Sequence, residues 1–226
     1  KGFESELIET DPVSSQLIKY LANTYLNIKY LANTYLPLRL SFVNEASRLI
    51  DYSKGNQKDV LKGVGLDSRI GAHYFRPSPA WGGSCFPKDL IEVNNFYEDD
   101  KLSLPLISNI IESNNIQSEW TVEKLISILK EENLKSVLLV GAAFKEDTDD
   151  LRNSPTLDIY TKLLKKDVET TIYDEMVDLE TYNSLENLEN VKKKTLVVLM
   201  YPVKALLMDK IQAVISKTNS ILYIPW

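Results

Sequence analysis

The chain has 226 residues, 44% of them hydrophobic and 26% charged, the balance of an ordinary globular protein with room for one large domain or two modest ones. A net charge of −6 and a pI near 5.0 argue against nucleic acid and against anionic membrane as partners, although a local basic pocket remains open to it. One cysteine, Cys85, excludes an intrachain disulfide and suits a reducing compartment. With no bilayer-length apolar run and no signal peptide at the polar opening stretch, a cytoplasmic protein is expected.

The segment from Val13 to Ile50 predicts a long helix, with Leu17, Tyr20, Leu21, Tyr25, Ile28, Leu31, Tyr35, Leu38 and Phe42 at helical spacing. Asp11-Pro12 reads as its start, and Pro37 predicts a kink or break, because an interior proline costs about 3 kcal/mol. Inside it, the octapeptide Lys19–Leu26 recurs as Lys29–Leu36. This reads as a local duplication or an engineered insertion, since solenoid repeats are longer and more numerous. Ten residues advance a helix by about 15 Å and rotate it by about 80°, so the two copies cannot occupy one place in a straight helix. A shorter helix is predicted over 54–67, ending at Gly63 or Gly65. Residues 67–87 read as loop, and 89–97 and 105–129 as helices. Then strands are expected at 136–141, 168–173, 196–200 and 221–224, with an amphipathic helix at 155–164. Alternating strands and helices indicate a parallel sheet. The predicted class is therefore α + α/β: a long-helix domain over 1–116, then a Rossmann-like parallel-sheet domain over 117–226.

Several residues carry chemistry. Cys85 follows Gly82-Gly83 and precedes Pro87, which suits the first turn of a helix. The thiol is thus expected at a helix N-terminus, where the dipole and Lys88 favour a thiolate. Asp89 lies four residues further on, in reach to orient a water or the nucleophile. Lys19 and Asn23, or Lys29 and Asn33, are i,i+4 pairs able to stabilise an oxyanion. Lys145 and Arg152 follow the first strand, beyond whose carboxyl end ligands bind, and are placed to meet phosphate. His73, the only histidine, belongs to no metal-spaced cluster, so neither a metal nor a Ser-His-Asp site is expected.

These residues resemble the UDP-glucose/GDP-mannose dehydrogenase family. Gly82–Asp89 is similar to its catalytic-cysteine motif, Asp67–Tyr74 to the segment upstream of it, and Ala143–Pro155 to the opening of its UDP-binding domain. The Lys-Tyr-Leu-Ala-Asn helix, followed by Leu40–Glu45, is similar to the family's central helix. The resemblance covers nearly the whole chain and, through the segment at Asp67, points to UDP-glucose. It implies oxidation of a sugar C6 alcohol to a carboxylate with two NAD, through a thiohemiacetal and then a thioester on Cys85. The repeat-borne lysine and asparagine, with Asp89, would stabilise the oxyanion or organise water. Tyr74, Gly82 and Lys145 would hold the UDP-sugar, and Arg69 would reach it from a partner subunit of a homodimer built on the central helix. Arg152 would touch the NAD pyrophosphate.

The sequence departs from the family's pattern in three places. No Gly-x-Gly-x-x-Gly fingerprint precedes Cys85, so the main NAD-binding domain is expected to be missing and the chain inactive alone, or a non-catalytic UDP-sugar-binding and dimerisation module. The duplication supplies two Lys/Asn pairs for one role, and continuity with Cys85 favours Lys29 and Asn33 over Lys19 and Asn23. The tail Tyr223–Trp226 lacks the arginine expected near the family's end.

Overall fold

The computed structural model describes the backbone of residues 12–98 and 103–225, and side chains over 28–95 and 103–225. Helix α1 runs from Pro12 to Tyr52 and continues through both octapeptide copies and through Pro37. The break expected at Pro37 is absent. The proline still deprives the Asn33 carbonyl of its helical donor. It is itself buried, however, and the turns after it pack Leu38, Leu40, Val43 and Ile50 into two apolar clusters. That packing against the helices that follow keeps the helix unbroken through a residue of poor propensity.

Helix α2 (Gln57–Gly65) is N-capped by Asn56, whose side chain accepts from Asp59 N at 3.2 Å. A long loop then leads to α3 (Phe86–Glu98). After it, α4 (Pro105–Ser108) and α5 (Ile110–Glu131) replace the one predicted helix. Residue 116, the expected domain boundary, lies inside α5, which serves both halves. Its first turns bond to α1 and the loop, with Arg48 Nη1 donating to Gln117 Oε1 at 2.6 Å and Lys124 Nζ meeting Asp51 at 2.7 Å. Its later turns, through Val122, Leu125 and Leu129, cover the sheet.

The second half holds strands β1 (Ser136–Val140), β2 (Glu169–Tyr173), β3 (Thr195–Leu199) and β4 (Ile221–Tyr223), all parallel, in the order β2-β1-β3-β4. Helix α6 (Pro155–Lys165) connects β1 to β2, and α7 (Ala205–Thr218) connects β3 to β4. Every residue of β1 is buried. Val137 and Leu139 face α5 and α6, whereas Leu138 and Val140 face α7, the period-two alternation of a strand covered on both sides. This is the expected α + α/β class. Helix α7 has no counterpart in the sequence expectation, although Leu207, Ile211, Val214 and Ile215 are spaced as a helical face. The chain crosses over β1 between β2 and β3, so the carboxyl ends of β1 and β3 flank a topological switch point, where ligands bind in such sheets.

Candidate active site

The loop between α2 and α3 has almost no regular structure, so side chains of the helices beneath it hold its backbone. The Arg39 guanidinium donates to the carbonyls of Ile70 and Gly71 at 2.7 and 2.6 Å and stacks on the Phe75 ring. Asn44 accepts from Ser78 N, Gln117 donates to Ser78 O, and Thr121 donates to Pro79 O. Asn114 both accepts from Trp81 N and donates to Trp81 O, and the Trp81 indole donates to Ser41. A buried loop must satisfy its peptide groups in this way. Sequence reasoning missed Arg39, Ser41, Asn44, Asn114, Gln117 and Thr121. The available signal was polar residues at core-facing helix positions.

The loop delivers Cys85 to the residue before α3, exposed and free. Its carbonyl accepts from Asp89 N at 2.9 Å, the first bond of the helix. Asp89 sits in that first turn and is only 1% exposed. Its Oδ2 accepts from Asn33 Nδ2 at 2.5 Å, and Lys29 Nζ lies 3.4 Å away. A buried carboxylate needs such partners. The second octapeptide copy therefore supplies the lysine and asparagine at Asp89. The side chains of Lys19 and Asn23 lie outside the described residues.

Between the two halves lies a cleft of ≈ 780 Å³. Residues 72–78 and 80–86 line it from the helical half, including Tyr74, Gly82 and Cys85. Phe144, Lys145 and Glu146 line it after β1, and Met200, Tyr201 and Pro202 after β3. These last two groups are the loops of the switch point. Lys145 lies with its Nζ 5.3 Å from the Phe144 ring centroid. Tyr201 lies so close to Gly141 (φ +102) that a Cβ there would meet its ring at 2.6 Å. Its hydroxyl donates to Asp174 Oδ2 at 2.8 Å, the oxygen that also accepts from Ala142 N. Burial first, then the Asp174 charge, pushes the Tyr201 hydroxyl pKa well up, so it stays a donor.

Gly82 and Gly83 serve close packing between the halves. A Cβ on Gly82 would fall 1.9 Å from the Asn153 carbonyl oxygen, and one on Gly83 (φ +93) 2.7 Å from the Phe144 ring.

Arg69 and Arg152 lie outside the residues that line the cleft. Arg69 is largely exposed and pairs with Asp67 of its own loop at 2.7 Å, and this pairing raises its pKa and lowers that of Asp67. Arg152 grips Asp150 through Nε and Nη2, at 2.9 and 2.7 Å. That grip holds the Asp150 carboxyl down to about 2. The Arg152 pKa is raised chiefly by the same bond, with the smallest contribution from Cys85.

Among the described residues, no group of His, Cys, Asp and Glu could hold a metal ion, and no helix is long and apolar enough to cross a membrane.

Two family models match the chain. Residues 27–116 match the UDP-glucose/GDP-mannose dehydrogenase family, central domain, and residues 138–220 match that family's UDP binding domain. The UDP-glucose 6-dehydrogenase of Rickettsia prowazekii is 36% identical over 188 residues, 82% of this chain and 40% of that protein. The Bacillus subtilis UDP-glucose 6-dehydrogenase TuaD is 32% identical over 76% of this chain and 35% of its own length. The chain thus spans about two fifths of these relatives. Among solved structures, a UDP-glucose dehydrogenase from Pyrobaculum islandicum superposes with TM-score 0.64 at 29% identity, over 77% of this chain and 42% of that one. A UDP-D-ManNAc dehydrogenase from Pyrococcus horikoshii shares the fold with TM-score 0.73 at 21% identity, over 87% of this chain and 46% of that one.

Proposed function

Because the chain belongs to the UDP-glucose/GDP-mannose dehydrogenase family, we propose that it carries the covalent half of a UDP-glucose 6-dehydrogenase site, with Cys85 as nucleophile. One observation carries this reading. An exposed thiol at a helix N-terminus opens on a cleft at the sheet's switch point, one helical turn from a buried carboxylate bonded to Asn33 and approached by Lys29.

In the proposed chemistry, the Cys85 sulfur bonds to the C6 carbon of a sugar at the aldehyde level, and the carbonyl oxygen becomes an oxyanion. Lys29 and Asn33 supply the positive and N–H groups nearest Asp89 that stabilise this charge. Once the adduct is at the thioester level, Asp89 takes the proton of the attacking water, the carbon–sulfur bond breaks and the carboxylate leaves. Lys145, Tyr74 and the Gly82 backbone hold the UDP-sugar, with the Lys145 ammonium against phosphate.

NAD, when bound, supplies the hydride acceptor. Arg152 fits a role beside it. Its guanidinium is largely exposed, and its Nη1 is not used on Asp150, which leaves a cationic donor free for a pyrophosphate.

We also read the protein as a homodimer. Ile28, Tyr35, Phe42 and Leu49 recur every seven residues along α1, exposed by 63%, 57%, 60% and 66%. Such a seam is what a second helix covers. Arg69, pointing away from its own cleft, then serves the partner's. The location we assign is the cytoplasm, where a free exposed thiol persists reduced.

The test uses the thiol itself. UDP-glucose at about a hundredfold its dissociation constant leaves about one site in a hundred open, so alkylation of Cys85 by iodoacetamide slows by roughly that factor. Full-rate alkylation at saturating UDP-glucose, with binding confirmed by calorimetry, would place the sugar away from the thiol and end the reading.

A further inference from the structure

The Cys85 loop belongs to the helical half, yet its backbone also bonds to the other half. Gly83 N donates to the Asn153 carbonyl at 3.4 Å, and the Asn153 side-chain amide donates back to the Gly83 carbonyl at 3.1 Å. The pair is reciprocal and bridges seventy residues of sequence. Asn153 adopts φ +49, a left-handed conformation that asparagine tolerates better than most residues. On its far side, Ser154 Oγ donates to the Ala142 carbonyl at 2.5 Å, and Thr156 Oγ1 to the Gly141 carbonyl at 2.7 Å. The segment that bears Asn153 is thereby anchored to the end of β1. The bare Cα of Gly82 lies against the same Asn153 carbonyl, leaving the loop no room to shift toward it. Arg152, clamped by Asp150, is the next residue back along this segment.

We propose that Asn153 is a positioning residue: its reciprocal bond with Gly83 fixes the Cys85 loop, and the thiol with it, on the segment of the sheet half that bears Arg152. The chain thus registers its sulfur to the sugar-nucleotide half through one asparagine, which touches neither sulfur nor ligand. The purpose of the device rests on the reading of Cys85 as nucleophile, but its geometry can be tested without that reading.

The readout is the charge selectivity of Cys85, measured as its rate with anionic iodoacetate over its rate with neutral iodoacetamide. A guanidinium within about a Debye length of the thiol favours the anion by about two- to threefold. Arg152→Gln removes that preference. Asn153→Gly keeps the left-handed backbone and its carbonyl but loses the amide donor, so its ratio falls to that of Arg152→Gln while the melting temperature stays near the parent's. Asn153→Ser, too short to reach Gly83, gives the same result should the glycine variant not fold cooperatively. A parent-like ratio in the Asn153 variants, alongside a lowered one in Arg152→Gln, overturns the proposal. An unchanged ratio in Arg152→Gln overturns it too, because the thiol then does not sit beside that charge. Protection by UDP-glucose reads the cleft and not this ratio, so the two ideas fail separately.

Discussion

At the scale of single residues, the site rests on a few short contacts whose loss has computable signs. Asp89 is buried, and Asn33 is its close donor. Asn33→Ala leaves that carboxylate with only the longer Lys29 contact, and the chain is expected to lose about 1–3 kcal/mol in urea unfolding. Gly82→Ala drives a methyl group into the Asn153 carbonyl at 1.9 Å. Backbone cannot yield as a flexible side-chain end does, so a loss of about 1–3 kcal/mol is expected, together with a weaker hold on the Cys85 loop. Asp150 carries the clearest acid dependence. Its carboxyl falls from an ordinary 3.8 to about 2 through the Arg152 bond. A depressed carboxylate contributes stability above its unfolded pKa, and that contribution is lost as the pH falls through the folded one. Carboxyl NMR titration is expected to show Asp150 ionised down to about pH 2, and protonated at higher pH in Arg152→Gln, which loses the side-chain bond and keeps the backbone one. Because the pair is exposed, its effect on overall stability is small.

At the scale of the element, α1 is the chain's own variation. Its ten-residue duplication is a continuous stretch of helix, and the copy adjoining Pro37 holds Asp89. Deleting residues 19–28 leaves a single Lys-Tyr-Leu-Ala-Asn-Thr-Tyr-Leu run still joined to Pro37. That variant is expected to keep the alkylation rate of Cys85 and its protection by UDP-glucose, since every described contact of the site is retained. A rate lost on deletion would mean that the first copy, not the second, serves the thiol. Ten residues are one heptad plus three, the spacing from an a to a d position. By helix geometry alone, the two copies of the Lys/Asn pair stand about 80° apart around the axis of α1.

At the scale of the whole molecule, two halves meet across the cleft and are tied around the end of α1 and the start of α2. Lys124–Asp51 and Arg48–Gln117 join α5 to α1, and Gln57 Nε2 donates to the Pro225 carbonyl at 3.1 Å, returning the end of the chain to α2. The exposed seam of α1 lies on the outside of this assembly. Phe42→Glu places a charge in its centre and is expected to convert a dimer into a monomer in sedimentation equilibrium, with Cys85 alkylation unchanged in the absence of ligand. A monomer in the parent chain would remove the dimer reading.

The primary structure was enough for whatever depends on local pattern. The apolar period of α1, the buried runs of β1 and β3, the position of Cys85 ahead of a proline-started helix and the run from Ala143 to Pro155 are all legible because each is set by neighbours in sequence. The preference for the second octapeptide rested on its continuity with Pro37 and Cys85, and its Lys29 and Asn33 are residues found at Asp89. Long-range packing decided the rest. Pro37 stays within an unbroken helix because buried contacts outweigh a lost hydrogen bond. Gly82 and Gly83 make room for Asn153 and Phe144, seventy-one and sixty-one residues away along the chain. The polar side chains that hold the Cys85 loop became visible only once α1 and α5 were brought beneath it, since a hydrogen bond between distant residues leaves no periodic trace in either segment.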